Sequence, residues 1–255
     1  MKIQRLNMDN SWCIEFAGAT MLVDPWLKGV EVDFFPWFNT QWHRTKPIAI
    51  SEVPNFDFVL ITQKYPDHFH KATLLELNPK KLIVPKSIQK AVQHLLPSAE
   101  VINFDQSPQN VLGSNINVHF MPTSRKIDPI YDALLLENGE ESILIASHGF
   151  TALEKWADFI QSKPPVTLAF SPFNKYQLPF FLGGTVSPGL APVKKLLNII
   201  KPQNIVATHD EDKHAKGIVH KFANITFSPK SEQLLTDHLF KNRLLTIDNY
   251  NVHTI

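Results

Sequence analysis

The sequence predicts an α/β fold, and three observations carry that reading. Short β-rich apolar runs recur in both halves of the chain. Segments with apolar residues three or four apart lie between several of them, the spacing of a helix that covers one face of a sheet. Strands in the first half and again in the second, with helices outside, suggest two sheets packed face to face under outer helices.

In chain order, strand-like runs are Trp12 to Phe16, Thr20 to Val23, Phe56 to Ile61, Leu82 to Val84, Val101 to Phe104, Ile116 to Met121, Ala133 to Leu136, Ser142 to Ala146, Val166 to Phe170 and Asn204 to Ala207. Helical patterns fall at His70 to Leu77, Lys86 to Leu96, Thr151 to Gln161, Pro188 to Ile200 and Ser231 to Lys241. With 19 prolines and 9 glycines, the loops are stiffened more than loosened. The widest irregular stretch, Lys28 to Pro54, holds Phe34, Phe35, Trp37, Phe38 and Trp42. One reading is a hydrophobic lid over a site, joined by Tyr176, Phe180 and Phe181; the other is core packing or a dimer contact. The cluster lacks the flanking Lys/Arg density of an interfacial membrane anchor.

A chain of 255 residues with this pattern is expected to form one domain, 1–255. Its 25 basic and 24 acidic residues give a net charge of +1 without long runs, which removes the electrostatic argument for a nucleic-acid partner. Cys13 is the single cysteine, so neither an intrachain disulfide nor a thiolate metal cluster can form. The start Met1 to Asn7 lacks the apolar core of a secretion signal, and no run approaches the roughly 18 to 20 apolar residues of a membrane span. The expectation is a soluble cytoplasmic protein with no membrane partner.

The most informative segment is Ile61-Thr62-Gln63-Lys64-Tyr65-Pro66-Asp67-His68. It follows a buried strand and precedes a helix, a rigid place from which to project ligands. Three further segments have related character: Leu22-Val23-Asp24-Pro25-Trp26-Leu27, Ile143 to Gly149 with His148 near its end, and Ile205-Val206-Ala207-Thr208-His209. In these runs, and in Gly183-Gly184-Thr185, the helical Pro188 to Ile200 and Lys201-Pro202 between them, the chain resembles the metallo-β-lactamase superfamily. Its hallmark is Thr-His-x-His-x-Asp-His after a hydrophobic strand, and Asp-Pro-Trp-Leu is common in its lactonase-like branch. The resemblance spans roughly Ile3 to Lys216 and implies a four-layer αββα sandwich.

The resemblance also implies a metal centre, here in degenerate form. Gln63 and Tyr65 stand where the two leading histidines would. The third histidine of the first site would fall near Met121 to Arg125, where there is none, and His119 lies upstream within its strand. A first-site metal is not expected. The second site keeps Asp67, His68 and His209, and His148 replaces the bridging Asp, giving a mononuclear set of Asp67, His68, His148 and His209. Three imidazoles and a carboxylate suit one divalent ion, zinc first, with iron or manganese as alternatives. Asp24 carries over as a structural Asp that holds neighbouring loop backbone.

The function so implied is a metal-dependent hydrolase of a small anionic ester, lactone or phosphoester, with Asp67 as ligand or base, Tyr65 as a hydrogen-bond donor or acid and Arg125 as an anion-binding charge. The partner is a small-molecule substrate, and a homo-oligomer stays open. The competing reading is a non-catalytic relative that keeps the fold for ligand binding or protein contact. Other constellations are weaker. Ser147-His148 is set aside as a dyad because neighbours on a strand point to opposite faces. Gly183-Gly184 lacks the spacing of a phosphate loop. In His209-Asp210-Glu211-Asp212-Lys213-His214 the carboxylates either orient His209 or begin a solvated helix.

Overall fold

In the computed structural model, which describes residues 1–106, 109–110, 115–123 and 130–255, the apolar runs become strands within two residues of the bounds their periodicity suggests. They sort into two compact units. The first comprises Met1–Gln106, Asp212–Lys221 and Asp248–Ile255, and the second Ser107–Glu211 and Phe222–Ile247.

The first unit holds a seven-stranded sheet in the order His253–Thr254, Lys2–Arg5, Trp12–Phe16, Ala19–Val23, Phe58–Leu60, Lys81–Val84, Glu100–Asn103. The early strands pair antiparallel through tight connections. The last four are parallel neighbours, and parallel pairing needs crossovers, supplied in two cases by the helices Lys71–Leu77 and Lys86–Leu95. Val59, Leu82 and Val84 from the sheet and Leu74, Ile88 and Val92 from the helices share one core cluster. The first of these helices starts where the His70 ring accepts a hydrogen bond from the Thr73 backbone N–H and stops at Asn78, which takes the left-handed conformation favoured at helix ends.

The aromatic stretch is not irregular. Val30–Asp33 and Asn39–His43 form a hairpin, and Lys213–Lys216 adds a third strand to it. The sequence hides this hairpin because it is inside out: Val30 is 51 % exposed while Glu31 is 2 % exposed. Its tip carries exposed Phe34, Phe35 and Trp37, with Phe35 and Trp37 stacked at 5.6 Å. Gly217 fits under that tip. A Cβ there would stand 2.5 Å from the Phe38 carbonyl oxygen at φ +113, while the next two amides donate to Trp37 and Phe38 carbonyls at 3.1 and 3.0 Å.

The second unit holds the sheet Leu244–Leu245, Asn204–Ala207, Val166–Ser171, Ser142–Ile145, Ala133–Glu137, Asn117–Met121, Gln109–Asn110. Its first four strands are parallel, and helices Leu153–Gln161 and Leu190–Ile199 make crossovers that bury Leu153, Ile160, Val193 and Leu197 against the sheet. A small sheet of Thr185–Pro188, Lys175–Gln177 and Asn224–Thr226 completes it. The helix expected over Ser231 to Lys241 is only Ser231–Leu234. Beyond it side chains compete for the backbone: the Thr236 hydroxyl donates to Gln233 O and Asp237 accepts from Leu239 N, so turns rather than helix bring Leu234 and Phe240 into the core. Among the described residues no helix is long and apolar enough to cross a membrane.

Replacing Gly217 by Ala should lower unfolding free energy by about 2 kcal/mol or more, because the new Cβ meets backbone rather than a movable side chain. Urea denaturation checks it; a loss under about 0.5 kcal/mol would refute the close packing.

Candidate metal centre

Asp24 ends the strand Ala19–Val23 in the left-handed region, φ +47, with its amide bonded to Leu60 O at 3.0 Å. That strained backbone aims the carboxylate at the next strand end. Asp24 Oδ1 accepts from Thr62 N at 2.7 Å, and Oδ2 accepts from Thr62 Oγ1 at 2.6 Å and from His68 Nδ1 at 2.8 Å. Asp24 therefore holds loop backbone, as the resemblance implies, and also holds a candidate ligand. Since a carboxylate only accepts, Nδ1 carries the proton, which makes Nε2 the nitrogen with the lone pair in the neutral ring.

The turn Tyr65-Pro66-Asp67-His68 closes by donation from His68 N to Tyr65 O at 3.0 Å, and proline suits its second position. His68 is fully buried. Its Nε2 lies 3.7 Å from Asp67 Oδ1, close to the separation of two ligand atoms bound about 2.0–2.1 Å from one zinc in tetrahedral geometry. Asp67 Oδ2 lies 3.7 Å from Lys213 Nζ, and Lys213 Nζ is 3.2 Å from Asp9 Oδ2. The loop Asn7–Ser11 holds this arrangement. Asn7 Oδ1 accepts from the amides of Asp9, Asn10 and Ser11; Asn10 Nδ2 donates to Asp67 O at 2.8 Å; Ser11 Oγ donates to Asp24 O at 2.6 Å.

Electrostatics in this unit follow from burying many carboxylates together. Burial, then repulsion from Asp67, raises the Glu31 carboxyl well above its ordinary value; Lys213 opposes this, and Asp33 and Asp9 add to it. Its Oε2 has no hydrogen-bond partner among the described residues. Asp33 is raised by burial and by Asp67, and lowered by its bond from Asn39. At His68 burial opposes charge, but Asp67 and Asp24 outweigh it and raise the imidazole value, with Lys213 pulling back. The field there favours a cation. His43, packed 3.9 Å from the Trp26 ring, is pushed down to about 4, mainly by burial.

In the second unit His148 lies in the turn after Ser142–Ile145, closed by Gly149 N donating to Ala146 O at 2.8 Å. Ser147 and His148 are thus in a turn and not on the strand, so the expectation of opposite faces does not describe them. His209 follows Asn204–Ala207, with φ +53. The His148 and His209 rings are 4.4 Å apart, centroid to centroid, and both are buried. His68 of the first unit is buried as well, so each of the three histidines is an imidazole of the kind that can ligate a metal ion.

Gln63 is buried and Tyr65 partly exposed beneath Lys64, whose Nζ is 5.2 Å from its ring. His119 is occupied in its own strand, with Nε2 3.2 Å from Glu137 Oε1. Arg125 lies outside the described residues. After His209 the chain forms the strand Lys213–Lys216 rather than a helix, and Asp212 accepts from Thr45 N instead of adding a turn of helix. Sequence reasoning missed Asn7, Asp9, Asn10, Ser11, Glu31 and Lys213. The Asn/Asp/Ser density of the first four signals a turn, yet nothing local marks what the turn grips.

A family model for the β-lactamase superfamily domain matches residues 6–142, more than half of the chain. The chain belongs to the β-lactamase superfamily. A comparison with curated proteins finds no match. Among solved structures, an isothiocyanate hydrolase from Delia radicum gut bacteria is 15 % identical with a TM-score of 0.71, over 100 % of this chain and 99 % of that one. A possible metal-dependent hydrolase from Veillonella parvula is 14 % identical with a TM-score of 0.73, over 100 % and 99 %. The metallo-β-lactamase fold protein YhfI from Bacillus subtilis is 12 % identical with a TM-score of 0.60, over 99 % and 98 %. At such identities the likeness shows the fold, and it bears out the α/β, metallo-β-lactamase-like class expected from the sequence.

The buried charges set how stability responds to pH. The Glu31 value lies above its unfolded value of 4.5, so its contribution is intact below that pH and is lost as pH rises. Glu31→Gln should therefore melt higher than the parent at pH 8 and much closer to it at pH 4; an equal difference at both would refute the assignment. His43 refuses a proton between its ordinary 6.5 and about 4, a window in which the unfolded chain accepts one, so stability should fall as pH drops through it. His43→Gln should flatten that slope in pH-dependent melts.

Proposed function

We propose that this protein is a metal-dependent hydrolase with a mononuclear centre, held by His68, His148 and His209 with Asp67 as the fourth donor. The observation that carries the reading is the contact between Asp24 Oδ2 and His68 Nδ1 at 2.8 Å. A carboxylate on the far nitrogen of an imidazole is the usual support of a ligating histidine, since it fixes the tautomer and raises ligand basicity. The donor chemistry fits: three buried imidazoles suit zinc, and also iron or manganese, and Asp67, outside that trio, offers a carboxylate oxygen 3.7 Å from His68 Nε2. Gln63 and Tyr65 supply no imidazole, which supports one ion rather than two.

When bound, a divalent ion supplies Lewis acidity and a water of lowered pKa. The chain's own groups do the rest. Asp24 keeps the proton on His68 Nδ1, so Nε2 stays a donor. The Tyr65 phenol can donate to a leaving group. The substrate class is a small anionic ester, lactone or phosphoester, with Arg125 assigned to the anionic group; the likeness to an isothiocyanate hydrolase adds isothiocyanates to the screen. The loss of the leading histidines at Gln63 and Tyr65 favours one second reading, a non-catalytic relative that binds a ligand on the same fold.

Elemental analysis of untagged protein should give about one zinc, iron or manganese per chain, and His68→Ala and His209→Ala should each lose it while staying folded. About two ions per chain would overturn the mononuclear centre, and none after reconstitution would leave the non-catalytic reading. Asp24→Asn should weaken zinc binding by about 10–100-fold in chelator competition; unchanged affinity would remove the observation on which the reading stands.

A further inference from the structure

Lys213 is a lysine in an unusual place. It begins a strand paired with Asn39–His43, opposite His43, yet its side chain is 8 % exposed. Lysines are almost never buried unless paired, because an ammonium taken from water needs compensating charge. Here that charge comes from Asp9 at 3.2 Å and Asp67 at 3.7 Å. Lys216, on the same strand, is exposed.

The two oxygens of Asp67 are divided between different neighbours. Oδ2 faces the Lys213 ammonium, and Oδ1 faces His68 Nε2. With Oδ2 turned toward the ammonium, Oδ1 is the oxygen presented beside His68 Nε2. Asp9 anchors that ammonium, and the Asp9 side chain is itself fully buried. The loop carrying Asp9 is fastened by Asn7, and through Asn10 it also grips the Asp67 carbonyl. Main chain and side chain of Asp67 are therefore held from one loop, the second through Lys213.

We propose that Lys213, anchored by Asp9, is a positioning residue that holds Asp67 Oδ2 and so directs Oδ1 to the ion. The consequence for metal rests on the reading above, but the hold on Asp67 does not. Lys213 in this role touches neither substrate nor ion. Arginine keeps the positive charge and can reach both carboxylates, while methionine keeps much of the volume and removes the charge.

The test compares Lys213→Met, Lys213→Arg and the control Lys216→Met in the full chain. In chelator competition Lys213→Met should weaken zinc binding about 10–100-fold, the usual effect of removing a group that orients a ligand. Lys213→Arg should recover part of the loss, Lys216→Met should bind as the parent does, and Asp9→Asn should shift affinity in the direction of Lys213→Met. In chelator-treated protein, the losses of melting temperature in Lys213→Met and Asp67→Asn should fail to add in the double variant, because they remove one shared contact. Parental zinc affinity in Lys213→Met, or additive losses, would overturn the proposal. If the parent binds no metal, the mononuclear reading falls, and the melting cycle alone then upholds or overturns the hold of Lys213 on Asp67.

Discussion

The carboxylate of Asp24 binds the end of one strand to the loop after another, and the placement of Thr62 and His68 depends on it. One oxygen takes the Thr62 amide; the other takes the Thr62 hydroxyl and the His68 ring. Three donors on one buried carboxylate satisfy groups that would each be costly to leave unpaired. Because they come from the loop and its histidine together, loop position and ring orientation are set by the same contact. The strained backbone of Asp24 and the parallel pairing of its strand with Phe58–Leu60 fix where that contact forms.

Around this anchor the first unit tolerates an unusual density of buried charge. Asp9, Asp24, Glu31 and Asp67 are all buried, against the Lys213 ammonium, the buried Arg5 guanidinium and imidazoles that burial biases toward neutrality, a bias that Asp67 and Asp24 overcome at His68. Such a cluster is unfavourable for stability, since desolvation of charges is offset only where pairing is good. Its persistence fits a local field arranged for a cation rather than for packing. The inside-out hairpin belongs to the same arrangement, for it buries Glu31 and leaves Val30 and the aromatic tip outside.

The second unit supports its two candidate histidines differently. His148 and His209 sit beyond the ends of strands Ser142–Ile145 and Asn204–Ala207, both of which pair with Val166–Ser171. Strand ends in a parallel sheet are rigid and side by side, so two histidines placed just beyond them come close, 4.4 Å between rings, without a long-range clamp such as Asp24. Positive φ at His209 and at Gly149 turns the chain sharply at these points.

Much of the fold was legible in the sequence, because apolar periodicity is local and a strand or crossover helix announces itself within a few residues. Trp12–Phe16, Asn204–Ala207 and Lys86–Leu95 lie where the pattern puts them. The hairpin Val30–His43 was not legible, since its buried face is polar and its exposed face apolar. Candidate ligands at strand ends were legible as residue types in order: Asp67, His68, His148 and His209. What each does depends on atoms remote in sequence. Asp24 and His68 are 44 residues apart, and Asp9, Asp67 and Lys213 come from three separate segments. By itself the sequence determined most of the strands and crossover helices and which donors stand at their ends; only the tertiary structure decided which nitrogen of His68 faces Asp24 and which oxygen of Asp67 faces Lys213, because hydrogen bonds and buried charge are set by distances that no local pattern encodes.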